Sequence, residues 1–297
     1  MLKRARSVWI TSKLLDQLEE LDSPVPYDRA RSCCSIIVQE HGVLKSSYCR
    51  CRWCLVCNRI RMGTMVNRYA PIMSLWEQEG GVFHVTLTVP NVPAGKLGDT
   101  VDTMKKRLRY CRRSIRETRG LDYRVLENWE VTYNGDREDF HPHVHCLVRG
   151  KVEALALREE WLRRWDDASP AAQDVQKWDG STSGLVEAMK YATKMIAPEK
   201  KDEGGPPPEA LDTIFRVLHR RHLCNPAGFD VEDERSRAYD SGITLVEASR
   251  DVDEEENGDE IDNLEARISA FRDPGMDRLW IWCDHDWWCQ DTGEALT

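Results

Sequence analysis

Hydrophobic residues fall at helical spacing from the start of the chain. Over residues 8–22, Trp9, Leu14, Leu18 and Leu21 share one side of an amphipathic helix, and Pro24 and Pro26 close it. The period changes to two over residues 82–89 (VFHVTLTV), between Gly80-Gly81 and Pro90, which predicts a strand. Residues 124–133 (RVLENWEVTY) and 142–149 (PHVHCLVR) predict two more strands, joined by the turn NGDRED into a central hairpin. Helices are predicted over 63–77, 152–167, 184–196 and 99–119, the last with Asp99 or Thr100 as cap and Gly120 as stop, and a short strand over 173–178. This order predicts an α+β fold, a central antiparallel sheet with flanking helices.

At about 150 residues per domain, 297 residues suggest about two domains. Five segments are expected. Residues 1–30 hold the N-terminal helix, 31–79 a cysteine-rich metal segment and a helix, and 80–197 the α+β domain. Residues 198–209 form a stiff polar linker, and 210–297 an acidic, partly helical region with helices near 210–223 and 262–272. The run DVDEEENGDEID within it is expected to be disordered. In the aromatic end LWIWCDHDWWC, the tryptophans around Cys283, Asp284, His285, Asp286 and Cys289 are expected to bury a small apolar patch.

Charge divides the chain. The net −9 is the sum of +6 over residues 1–197 and −15 over 198–297. Screening confines each field to about 8–10 Å, so the first two-thirds can bind nucleic acid despite an acidic total. No apolar run reaches the ~18 residues of a membrane span, and the N-terminus does not read as a secretory signal. A cytoplasmic location without membrane association is therefore expected, with the eleven cysteines as thiols or metal ligands.

Cys49, Cys51, Cys54 and Cys57 are too crowded for pairwise disulfides. Cys54-x-x-Cys57 has metal-knuckle spacing, and Cys49 is a third thiolate. Cys33, Cys34, His41 and Cys51 compete for the fourth place. An upstream partner closes a sensible loop, which favours Cys34 or Cys33, and the expected set is Cys34, Cys49, Cys54 and Cys57 around a structural Zn²⁺.

His143 and His145 alternate on one strand and so face one way. With the turn centred near 136–137, Glu130 lies opposite His143. Two imidazoles and a carboxylate with open positions make a catalytic metal site for Mn²⁺ or Mg²⁺ that can hold a phosphate oxygen. On the 184–196 helix, Glu187, Tyr191 and Lys194 share a side at i,i+4 and i,i+3 spacing. Tyr191 is a candidate nucleophile towards phosphorus, Lys194 a cation favouring phenolate and Glu187 a general base. The 99–119 helix carries Lys105, Lys106, Arg109, Arg112, Arg113 and Arg116 as candidate DNA contacts.

The ordered segments VFHVTLT, WEVTYN, FHPHVHCLV and EAMKYATKM, preceded by YCRCRWCLVC, resemble the HUH endonucleases. The resemblance is specifically to rolling-circle plasmid replication initiators with one catalytic tyrosine and an N-terminal zinc-binding segment. It covers residues 30–197 and implies metal ligation by His143, His145 and Glu130, nucleophilic attack by Tyr191, a terminating role for Glu187, and Lys194 as the motif's lysine. It further implies nicking and rejoining of a single-stranded or hairpin origin, with host helicase and polymerase as partners. The alternatives are a mobilisation relaxase or transposase of the same chemistry, or a non-catalytic zinc-containing DNA-binding repressor. Residues 198–297 match nothing in that family.

Overall fold

The computed structural model describes residues 2–40, 43–181, 184–186, 205–243, 278–283 and 286–289. The first elements are α1 (Leu2–Leu18), β1 (Ile36–Glu40), β2 (Val43–Ser46), α2 (Leu55–Glu79), β3 (Val82–Thr88) and α3 (Ala94–Glu117). There follow β4 (Val125–Asn134), β5 (Asp139–Arg149), α4 (Lys151–Leu162), β6 (Asp174–Lys177), α5 (Pro208–Leu218) and β7 (Cys224–Ala227). The described elements end with α6 (Val231–Asp240), β8 (Arg278–Cys283) and β9 (Asp286–Cys289). The chain forms two compact units, one of residues 1–61, 196–212 and 250–297 and the other of 62–195 and 213–249.

The first unit carries a four-stranded antiparallel sheet in the order β2-β1-β8-β9. The aromatic end of the chain is thus a strand pair on β1. Leu14, Leu15 and Leu18 of α1 are buried, and Thr11 Oγ1 accepts from the Leu55 N–H at 3.0 Å. That bond satisfies an otherwise orphaned donor in the first turn of α2.

The second unit is built on a five-stranded antiparallel sheet, β6-β3-β5-β4-β7. The predicted α+β class with flanking helices holds. Glu127 and Trp129 of β4 meet Arg112 and Lys105 of α3, so α3 lies on the face of the odd-numbered β4 residues. Leu97, Val101, Met104, Leu108, Cys111 and Ile115 give α3 a continuous buried stripe. The opposite face carries the even-numbered β4 residues. There Leu126 and Leu147 form a core with Ile72, Met73 and Trp76 of α2, Leu185 and Val231. On α4, the Glu160 carboxylate is pushed up by burial, but Arg164, Ser114, Arg163 and Arg119 outweigh this and hold it at about 2.

Several expectations change. Helix α3 begins at Ala94 rather than near Asp99, with extended Pro93 as its cap; Gly95 and Gly98, poor helix formers, hid the first turns. Its end is as expected, with Gly120 at φ +66. The region 210–297 is not one separate body: β7 supplies the outer partner of β4, while β8 and β9 join the other unit's sheet. The predicted 262–272 helix and the 251–262 acidic run lie outside the described residues.

Candidate metal centres and active site

Strand β5 is central in its sheet yet contains Pro142. The N–H of Phe140, of the same parity, donates to Val92 O on the β3 side at 2.9 Å. The β3 ladder ends at Thr88–His143, so the missing N–H of Pro142 falls where no ladder bond is made. The strand therefore continues unbroken, and His141, His143 and His145 share a face.

The hairpin register is Asn134↔Asp139, which centres the turn between 136 and 137 and sets Glu130 opposite His143. Glu130 Oε2 lies 3.2 Å from His143 Nε2 and 3.1 Å from His145 Nε2. Glu130 and His143 are buried, and His145 is partly open. Burial pushes the Glu130 carboxyl up, but the hydrogen bonds and attraction of His143 and His145 prevail and hold it at about 2. The acid is thus a carboxylate at neutral pH, as a ligand must be.

The imidazoles are oriented from behind. His143 Nδ1–H donates to His141 O at 3.1 Å, which turns Nε2 towards Glu130. There Nε2 hydrogen-bonds the carboxylate, and its lone pair would meet an ion that replaced that proton. His145 Nδ1 meets His84 Nε2 at 3.1 Å and Thr86 Oγ1 at 3.3 Å. His141 turns elsewhere: its Nδ1–H donates to Asn91 Oδ1 at 2.8 Å and its Nε2 accepts from Thr88 Oγ1 at 3.0 Å. The ligand atoms of Glu130, His143 and His145 lie within 4.8 Å of one another, so one ion fits between them. Sequence reading missed His84, whose position behind His145 follows only from the β3–β5 register.

The second cluster is Cys33, Cys49, Cys54 and Cys57, again within 4.8 Å. Cys33 takes the place expected for Cys34. Cys34 adopts φ +57 and sends its N–H to Ser47 O as the chain enters β1, while the Cys33 thiol meets Cys57 Sγ at 3.4 Å and Cys54 Sγ at 3.5 Å. The Cys49–Cys57 separation is 3.6 Å. A tetrahedron with ~2.3 Å Zn–S bonds has edges of about 3.8 Å, so the donor set fits Zn²⁺. The N–H groups of Cys49, Arg50 and Cys51 donate to the sulfurs of Cys33, Cys57 and Cys49. Hydrogen bonds from Cys33, Cys51, Cys54 and Cys57 hold Cys49 as a thiolate, while the Cys33 thiol is pushed up by its hydrogen bond to Cys49. A cation bound among the four sulfurs would displace the remaining thiol protons and take all four as thiolates.

On α3, Lys106, Arg109, Arg113 and Arg116 are exposed. Lys105 donates to His222 O, Arg112 pairs with Glu127, and Arg113 with Glu117. Glu187, Tyr191, Lys194 and His41 lie outside the described residues. No helix among the described residues is long and apolar enough to cross a membrane.

A family model described as "Replication protein" matches residues 41–266. The chain is similar to "Protein rep" of Streptococcus pneumoniae serotype 2, 26% identical over 282 residues that cover 85% of this chain and 85% of the relative. It is also similar to "Protein rep" of Staphylococcus aureus, 24% identical over 174 residues, or 53% of this chain and 74% of the relative. No solved structure matches the chain.

Proposed function

Because this chain belongs to the replication protein family, we propose that it starts rolling-circle plasmid replication by nicking and rejoining one DNA strand at the origin. The observation that carries the reading is the Glu130–His143–His145 cluster, a carboxylate and two imidazoles whose ligand atoms lie within 4.8 Å of one another on the central strands of the sheet. A divalent ion held there, Mn²⁺ or Mg²⁺, supplies positive charge to a scissile phosphate.

In this reading the phenol oxygen of Tyr191 attacks phosphorus. An O–P bond forms, the bond to the 3′ oxygen breaks, and the strand's 5′ phosphate is left on the tyrosine. The phenol proton passes to solvent as the bond forms, and the departing oxygen takes up a proton from solvent to give the 3′-OH that a polymerase extends. The Lys194 ammonium favours the phenolate. Glu187 takes the proton from the second nucleophile, which ends the cycle with a single tyrosine. Support for this geometry is the packing of Leu185 with Leu126 and Leu147 on the sheet face of the histidines, just before Glu187 and Tyr191 in sequence. The basic side of α3 is the proposed contact with flanking DNA. The Cys33, Cys49, Cys54 and Cys57 cluster holds structural zinc in the same reading.

His143→Ala is expected to lower nicking of an origin single strand by about 10²-fold or more at micromolar Mn²⁺, with partial recovery at millimolar Mn²⁺. Glu130→Ala should behave alike. Gel assay of nicked product against Mn²⁺ concentration checks this, and unchanged metal dependence in both variants would reject the site.

A further inference from the structure

The sheet face opposite the histidines carries a cavity of about 400 Å³ lined by Arg109, Arg112, Arg116, Tyr123, Pro226, Ala227 and Gly228. We infer that this cavity is a phosphate-binding pocket, which grips a backbone phosphate of DNA at a point separate from the proposed cleavage site. The inference deepens the reading of α3 as a DNA contact and needs no nicking chemistry.

The arginines fall at i, i+3 and i+7, one stripe of a helix. Among the described residues one carboxylate answers them: Glu127 pairs with Arg112 at 2.8 Å and holds that guanidinium in place. Arg109 and Arg116 are exposed and have no ion pair or hydrogen bond among the described residues. The cavity therefore concentrates uncompensated positive charge, which an anion relieves. Guanidinium groups match phosphate oxygens in geometry as well as charge.

The far wall is built to be close. Gly228 has φ +85, and a Cβ there would sit 2.0 Å from Tyr123 O, so only glycine lets the end of β7 approach this near. Tyr123 is buried, and its hydroxyl has no hydrogen-bond partner among the described residues. An unpaired buried hydroxyl is uncommon, and a phosphate oxygen is a fitting acceptor for it. A strand is the favoured source of the phosphate over a free nucleotide, because Lys106, and Arg113 with its partner Glu117, continue the charged side of α3 outside the cavity, and Lys106 adds net positive charge there.

The test is binding of a fluorescein-labelled duplex, without added divalent metal, as a function of salt. Full-length Arg109→Ala/Arg116→Ala should bind at least tenfold more weakly, with the log–log salt slope reduced by about 1 to 2. Arg109→Lys/Arg116→Lys should restore most of the slope, which separates charge from misfolding. Tyr123→Phe should weaken binding a few-fold with the slope unchanged. Titration with inorganic phosphate and with a deoxynucleoside monophosphate identifies the source; binding of these at micromolar levels while duplex affinity stays unaltered in the double alanine variant would overturn the assignment to a strand. If Lys106→Ala/Arg113→Ala matches the pocket pair and Tyr123→Phe is silent, α3 is a diffuse contact and the pocket is rejected. If neither pair alters duplex binding, the DNA reading of α3 itself fails.

Discussion

Tyr191→Phe is expected to lose the covalent protein–DNA adduct entirely, and to nick an origin strand on the order of 10³-fold more slowly than wild type or worse. The substitution removes one oxygen and keeps the ring. Binding of the same oligonucleotide should therefore stay within about twofold. The size of the effect follows from the chemistry: without the phenol oxygen no O–P bond to the protein can form, and water is a poorly placed substitute. Denaturing gel electrophoresis with labelled oligonucleotide and Mn²⁺ reads both adduct and nick. An adduct of ordinary yield in the variant would move the nucleophile to another residue, whatever the status of the Glu130–His143–His145 cluster.

The second large effect concerns zinc. Cys33→Ser is expected to empty the cysteine cluster, dropping zinc from about one per chain towards zero, whereas Cys34→Ala should retain it. Structural zinc contributes apparent binding free energies on the order of 10–16 kcal/mol in small zinc domains at neutral pH, and that energy is folding energy. Losing one of four thiolates should thus unfold the segment around the cluster, seen as a lower thermal midpoint and rapid proteolysis between residues 31 and 61. Cys34 is fully buried, so its truncation costs packing of about 1–2 kcal/mol but no ligand. Elemental analysis of the two purified variants distinguishes them. Equal zinc in both, or loss only in Cys34→Ala, would contradict Cys33 as the fourth ligand.

The contrast between these neighbours shows where sequence reading stops. Parity on a strand is strict, so His143, His145 and the hairpin turn were enough to bring Glu130 opposite His143. The choice between Cys33 and Cys34 hangs on a backbone conformation, φ +57 at Cys34, that no spacing announces. Strand β7, with the sequence CNPA, has no strand pattern of its own and is a strand because the edge of β4 accepts it. Strand β8 pairs with β1 across most of the chain's length, a contact with no local signature, and β9 follows on β8. The same holds for His84: an unremarkable histidine in the sequence, it backs His145 only because β3 and β5 pair in one register.

The central claim is that the chain joins itself to DNA through one tyrosine beside a metal-binding triad. Its most direct test is mass spectrometry of the wild-type protein after incubation with an origin oligonucleotide and Mn²⁺, followed by proteolysis and peptide mapping. The account predicts one added nucleotide-bearing fragment, formed only with metal, on the peptide containing Tyr191. A modified peptide elsewhere, or equal modification in metal-free buffer, would contradict it.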